Sequence, residues 1–382
     1  MTQLQNRLRE LIFQGENIGV EFKSARAHPD AIAKELVAFA NTQGGSLLVG
    51  VENGGVITGL DSLHDHEERM ANIARNNLIP PLSITMDRVE TSEGNVLMVT
   101  VPKGSERPYQ TNKHQFLVRV GSTNRVASQG ELMRLFQQAG SFHFDANAVN
   151  HGTMDSLNQM KLDRYFSQYN IEFSAEQNKE QLLNNAEIMT DEGCPTVAGL
   201  LMFGINPQKF LHFASISFVH YAGSEITDEL MDKQVVEGTL DLQVDQMLTV
   251  LRHNIKAPSR IKGAKTTDLD FQYPEKVYRE LLVNAVVHRN YAISGSRIRI
   301  QMFSDRIEFI SPGRLPNTVT IAKLTTGVSY AVNPVILKFM ENYRYIDKLG
   351  RGLPMVYQEA RKQDREVFFE EVGEEFKVIL ER

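Results

Sequence analysis

The 382-residue sequence predicts an α+β, multidomain protein. Three observations carry that reading. The length provides for two or three domains at about 100–200 residues each. Hydrophobic residues make up 42% and charged residues 23%, an ordinary globular balance far from that of disordered chains. Helix-period and strand-period runs alternate at both ends of the chain, with a helix-rich stretch between them.

In the first domain, 1–140, Ile32 to Ala40 reads as an amphipathic helix opened by Pro29-Asp30. Gly44-Gly45 breaks it, and Ser46–Val51 is a nearly continuous apolar strand. Asn53-Gly54-Gly55 turns the chain into Val56–Gly59. Asn95–Val101 and His114–Val120 are strands on either side of a polar turn, and the helix Gln129–Ala139 closes the unit. A linker (141–155) and a mostly helical middle segment follow, to residue 267. That segment holds one strand, Ala214–Val219, and a helix Leu240–Ile255 with an apolar stripe of Leu242, Val244, Met247, Leu248 and Leu251. The third domain, 268–382, runs helix (Pro274–His288), strands (Arg297–Phe303 and Arg306–Ile310), a glycine turn and a final helix after Gly352.

Composition excludes several function classes. A single cysteine, Cys194, rules out a disulfide framework and a thiolate zinc site, and points to a cytoplasmic, reducing compartment. No run approaches the ~20 apolar residues of a membrane span. The formal charge of −6 argues against coating nucleic acid by bulk attraction, so any such contact must be a local patch. Lys103, Arg107, Lys113, Arg119, Arg125 and Arg134 lie in a segment with only two acids, and Tyr109 and Phe116 among them could stack on bases. Arg252, Lys256, Arg260, Lys262 and Lys265 form a second basic run. His64-Asp65-His66-Glu67-Glu68 lacks metal-binding spacing and reads as an exposed helix start.

Glu280, Asn284 and His288 recur every four residues and so climb one face of one helix. Such a row fits a solvated face, or a site that polarises water and holds a divalent cation through an oxygen ligand. Two glycine turns follow in order: Ser311-Pro312-Gly313-Arg314, then Gly350-Arg351-Gly352-Leu353 opening a helix. Glycines before a helix N-terminus let backbone amides approach phosphate. No P-loop pattern occurs.

This ordered set resembles the GHKL nucleotide-binding fold, and more closely the divergent version in bacterial ATP-binding proteins labelled predicted transcriptional regulators. His288-Arg289-Asn290-Tyr291 and Asn333-Pro334 belong to the same resemblance. It implies a C-terminal α/β sandwich that binds ATP with Mg²⁺. Glu280 would activate water and Asn284 would bind the metal, while His288, Ser311, Gly313, Gly350 and Gly352 would shape the pocket. Ser311 stands where the family's first glycine box usually opens with an aspartate, and a hydroxyl accepts a hydrogen bond more weakly than a carboxylate.

GENIGVEFKSA, ELVAFANTQGGSLLVGVENGG, SERPYQ and FLVRVGSTNRVAS resemble the Schlafen-type AlbA domain, also called divergent AAA, from about Gly15 to Ser128. The resemblance implies a nucleic-acid module, with Lys103, Arg107, Tyr109, Arg119 and Arg125 as contacts. In Schlafen endoribonucleases, acids at places matching Glu16, Glu21 and Glu52 form a Mg²⁺- or Mn²⁺-dependent centre, beside which Lys23 would stabilise phosphate. The alternative is that Glu21 pairs with Lys23 and Glu52 sits solvated in a hairpin. Relatives often continue into a winged helix, so with the sequence ending at Arg382 the AlbA-like unit is the expected nucleic-acid module. Two functions follow: an ATP-switched nucleic-acid-binding regulator or defence factor, expected to form homo-oligomers, or a metal-dependent endoribonuclease.

Overall fold

The computed structural model describes residues 2–255, 261–262, 265–266, 273–317, 319–327, 330–346 and 350–382. The expected boundary at 267/268 falls outside them, as do Lys256 and Arg260; of Lys262 and Lys265 only the backbone is described. The chain forms two compact units, Met1–Phe142 and His143–Arg382.

The first unit begins with α1 (Gln3–Gln14), β1 (Val20–Lys23), α2 (Pro29–Asn41) and β2 (Gly45–Val49). Short pairs β3 (Val51–Glu52) with β4 (Val56–Ile57) and β5 (Leu78–Ile79) with β8 (Gln110–Thr111) flank α3 (Leu63–Asn76), β6 (Thr85–Glu90) and β7 (Asn95–Val101). The hairpin β9 (Leu117–Val120) and β10 (Thr123–Val126) leads into α4 (Gln129–Gln138). The main sheet has the order β1-β2-β7-β6, with β1 and β2 parallel because α2 crosses between them. Strand alternation splits the core in two. Leu47, Val49, Leu97 and Val99 pack with α2 and α3, while Val20, Phe22, Leu48 and Met98 pack with Leu8 of α1. Glu21 and Lys23 alternate with Val20 and Phe22, which turns them away from α1 and toward α2.

The second unit contains α5 (Gln159–Ser167), α6 (Lys179–Asn185), α7 (Val197–Phe203), β11 (Ile216–Tyr221), β12 (Leu230–Val236) and α8 (Leu240–Ile255). The two-residue pair β13 (Ile261–Lys262) and β14 (Lys265–Thr266) precedes α9 (Glu275–Val287), β15 (Ile298–Met302) and β16 (Arg306–Pro312). Then come α10 (Ile321–Leu324), α11 (Pro334–Asn342), α12 (Gly352–Arg361), β17 (Val367–Val372) and β18 (Glu375–Glu381). One six-stranded sheet of order β12-β11-β15-β16-β18-β17 runs through the unit, parallel only between β11 and β15. Its inward residues, among them Ile216, Ile300, Phe309 and Leu380, share one core with Phe203, Met247, Leu282 and Phe339 of the helices. Outward lie Arg299, Gln301, Glu308 and Lys377, in the register Arg299↔Ile310 and Gln301↔Glu308.

The expected separation of a middle domain from a C-terminal one is therefore corrected. Strand β11 and helices α5, α7 and α8 share one sheet and the main core with the last segment. The chain also continues past the expected final helix into the β17–β18 hairpin, which the sequence reading lacked.

Candidate functional site

Helix α9 buries Val277, Leu281, Leu282 and Val286 and turns Glu280, Asn284 and His288 away from that stripe. Asn284 and His288 line a cavity that opens to solvent. Ser311, Gly313 and Arg314 from the end of β16 form another side, and Leu315, Leu324, Tyr330, Val332, Leu353 and Phe376 supply largely apolar walls.

Asn284 Nδ2 donates to Glu280 Oε1 at 2.6 Å and to the Glu280 carbonyl at 2.8 Å. Burial raises the Glu280 carboxyl above the usual range, against the opposing hydrogen bond from Asn284. A Cβ on Gly352 would lie 1.6 Å from Glu280 Oε1. The carboxylate thus rests on the first residue of α12, and only glycine leaves room for it. Gly350 has φ +62° in the turn before that helix. Gly313 has φ +125°, and a Cβ there would meet Asn290 Cβ at 2.9 Å.

Burial lowers His288 to about 4, so its ring is neutral at pH 7. Ser311 Oγ donates to the Ala285 carbonyl at 2.9 Å, tying the first glycine turn to α9. The motif residues around the cavity are braces. Arg289, buried, donates to the carbonyls of Ile293 (2.9 Å) and Ser296 (2.8 Å). Asn333 Nδ2 donates to the carbonyls of Val287 and Arg289, both at 2.8 Å. Asp145 Oδ2 accepts from the amides of Val335 (2.8 Å) and Ile336 (3.0 Å), capping α11 from the segment expected to be a linker. Tyr330 and Asp145 were absent from the sequence reading, because neither belongs to a periodic run or a recognisable motif.

In the first unit the structure does not assemble the three expected carboxylates. Glu16 accepts from the Phe22 amide at 3.2 Å on the open edge of β1, and Glu52 is exposed in its hairpin. Glu21 pairs with Lys23 and, at 2.7 Å, with Arg119. The carboxylate that joins it is Glu35 of α2, 3.0 Å from Arg119 and 3.1 Å from Lys23, with Asn124 donating at 2.5 Å. Burial lowers Lys23, but the hydrogen bonds and charges of Glu21 and Glu35 outweigh it, and the net shift is upward. The protein's own cations thus hold the places a divalent ion would take, and among the described residues no group of three His, Cys, Asp or Glu side chains could hold a metal.

The expected basic patch is also largely dismantled. The Arg119 side chain is 0% exposed; it donates to the carbonyls of Asn17 (2.7 Å) and Val20 (3.0 Å) and lies over the Phe39 ring. Arg107 is 1% exposed, and Tyr109 is buried with its backbone bound to Asn41. None of these three presents a surface to a polyanion. Lys103 is half-buried. Arg125 is exposed but held by Glu131 at 2.6 and 2.7 Å, and Lys113 is held by Asp30. Sequence spacing could not show this, since a basic residue is normally exposed and only the folded partners reveal the exceptions.

One known family matches within the first unit and another within the C-terminal part of the second, beginning after Glu280, Asn284 and His288. Residues 16–128 match the family described as Schlafen, AlbA_2. Residues 295–380 match the HATPase_c_4 family, described as putative ATP-dependent DNA helicase recG C-terminal. The chain carries a Schlafen AlbA_2 domain and a HATPase_c_4 domain. Among solved structures, 99% of the chain aligns with 69% of the DIP2311 protein from Corynebacterium diphtheriae, at 20% identity and a TM-score of 0.47. Separately, 34% of the chain aligns with 92% of the N-terminal domain of a putative ATP-dependent DNA helicase RecG-related protein from Nitrosomonas europaea, at 23% identity and a TM-score of 0.27. The ATPase-like HATPase_c_4 domain implies nucleotide binding. Among the described residues no helix is long and apolar enough to cross a membrane.

Proposed function

We propose that the protein is an ATP-switched, nucleic-acid-binding regulator whose HATPase_c_4 domain binds Mg-ATP and hydrolyses it slowly. One observation carries the nucleotide reading: Glu280 and Asn284 form a hydrogen-bonded pair against Gly352, beside a largely apolar cavity. The residues fit the group. The apolar walls suit a flat base, the glycine turn before α12 suits phosphate, and Asn284, whose Nδ2 is committed to Glu280, offers Oδ1 to a cation. Bound Mg²⁺ would neutralise phosphate charge. Glu280, raised by burial, suits a proton acceptor for attacking water.

Calorimetry on the full chain tests this reading. Wild type should bind Mg-ATP, Asn284→Ala should lose most of that affinity, and Glu280→Gln should keep binding but lose turnover. No heat of binding at millimolar ATP would overturn it. The nucleic-acid half rests on the AlbA_2 match, and its test is a gel-shift titration with and without ATP. Identical affinities would remove the switch. With Glu21 saturated by Lys23 and Arg119, no observation favours the nuclease alternative.

A further inference from the structure

Among the described residues that line the cavity none is a carboxylate. Its polar lining side chains are Asn284, His288 and Arg314 and, among the apolar walls, the hydroxyl-bearing Ser311 and Tyr330. Ser311 Oγ is buried and donates to the Ala285 carbonyl at 2.9 Å. The Tyr330 hydroxyl is shielded from solvent and has no hydrogen-bond partner among the described residues, although its ring lines the cavity. A buried hydroxyl left unpaired is costly, so it marks a place where a ligand atom belongs. The two groups sit around one ring: Phe376 is the cross-strand partner of Ser311, and Tyr330 packs on the small cluster of Leu315, Val319 and Leu324 that Phe376 also joins.

We propose that Ser311 and Tyr330 read the nucleobase, and that the site accepts adenine and guanine nucleoside triphosphates alike. This deepens the nucleotide reading above and rests on it. Adenine and guanine differ at C6, where one carries an amine and the other a carbonyl. An ionised carboxylate at this place would accept from the amine and repel the carbonyl, because it is an acceptor only. A hydroxyl is both donor and acceptor. With its proton on the Ala285 carbonyl, Ser311 offers lone pairs to an amine. Rotated, it donates to a carbonyl and gives up only one neutral hydrogen bond. Tyr330, protonated because burial raises its phenol, has the same freedom. Neither group carries a charge that would penalise one purine, so shape and stacking against Phe309 and Phe376 select a purine without reading C6.

The test uses the full chain in Mg²⁺ and measures affinities for ATP, GTP and CTP by calorimetry. Wild type should bind ATP and GTP within about fivefold of each other and CTP more weakly. Ser311→Asp should favour ATP over GTP by at least about tenfold, since a fixed acceptor then faces the guanine carbonyl. Tyr330→Phe removes one atom and keeps the ring, and should weaken both purines about tenfold while leaving their ratio unchanged. A wild-type preference for ATP above about a hundredfold, or Tyr330→Phe binding as wild type does, would overturn the assignment and leave the nucleotide reading standing. If no nucleoside triphosphate binds at millimolar concentration, the nucleotide reading itself fails. A melting curve for each variant separates lost affinity from lost fold.

Discussion

Each unit buries a glutamate beside polar partners, and the two are treated in opposite ways. In the AlbA_2 unit, Glu21 meets Lys23 and Arg119, and the second carboxylate, Glu35, completes a closed set of charges. In the second unit, Glu280 meets one neutral amide, is raised by burial, and sits beside open volume. A buried charge with every partner in place is part of the frame, because removing any member strands the rest. A buried charge left short of partners is held there by its surroundings and remains available to a ligand. A strand glutamate and a helix glutamate thus differ in what faces them.

The largest effect should come from breaking the closed set. Arg119→Met leaves Glu21 and Glu35 buried with Lys23 as the one cation of the set, and should destabilise the first unit by about 3–5 kcal/mol in urea unfolding. Glu280→Gln should leave stability within about 1 kcal/mol, since it removes a charge that burial already disfavours. Equal losses in the two variants would erase the distinction.

Asp145 lies between these extremes, accepting two amides but meeting no full cationic partner. Burial raises it from 3.8 to about 6 against those bonds and the nearby His143; Tyr291 also lies within its field. The folded chain therefore holds this proton more tightly than the unfolded chain. The resulting stabilisation is complete below about pH 4 and is lost as the pH rises to about 6, amounting to about 3 kcal/mol. Asp145→Asn is neutral throughout, so its melting temperature minus that of wild type should climb between pH 4 and 6 and then level off. A flat difference would mean that Asp145 is ionised across the whole window.

Gly352→Ala addresses the open side of the comparison. The added Cβ meets the end of a flexible side chain, which can swing away at small cost in stability. Glu280 is then displaced, and Mg-ATP affinity or turnover should fall about tenfold or more, since catalytic geometry tolerates little misplacement. Gly313→Ala differs, because Asn290 backbone atoms at 3.1 Å and φ +125° offer no such escape. It should lower the melting temperature as well as the affinity.

In the first unit α2, β2, β7 and α4 were legible in the sequence, because they have strong periodicity and clear caps, whereas α1, β1 and β6 were not; Ser128 and Glu131 even form a capping box. The row Glu280–Asn284–His288 was legible for the same reason. What failed was anything set by the third dimension. Arg107 and Arg119 look like surface charge until the chain folds over them, and Glu35, on an otherwise apolar helix, gains its meaning only from Arg119. Strand β12 is an edge strand exposed along most of its length, so it shows no alternation of buried and exposed residues to read. The middle segment was helical enough to look independent, yet β11 pairs in parallel with β15, which comes about 80 residues later.

The smallest effect should be at Arg125, the expected nucleic-acid contact that remains exposed. Its bidentate bond, first among the causes, and the Ser128 amide and hydroxyl hold Glu131 at about 2. A carboxyl depressed in the folded state adds stability above about pH 4.5, lost as the pH falls toward 2. Solvent screening discounts that gain, because the arginine side chain is 48% exposed, and pairs of this kind contribute about 1 kcal/mol or less. Arg125→Ala should therefore cost no more than about 1 kcal/mol at pH 7, and less still in 0.5 M salt. The Ser128 bonds survive the change, so part of the acid dependence should persist. Such weak pairing has a consequence for binding: a phosphate can take Arg125 from Glu131 cheaply, whereas nothing can take Arg119 from Glu21 without opening the core. In a gel-shift titration Arg125→Ala should lower nucleic-acid affinity and reduce the salt slope by about one unit. Arg119→Met should affect binding only as far as it unfolds the domain. Equal binding by wild type and Arg125→Ala, both folded, would move the contact surface away from the β9–β10 hairpin.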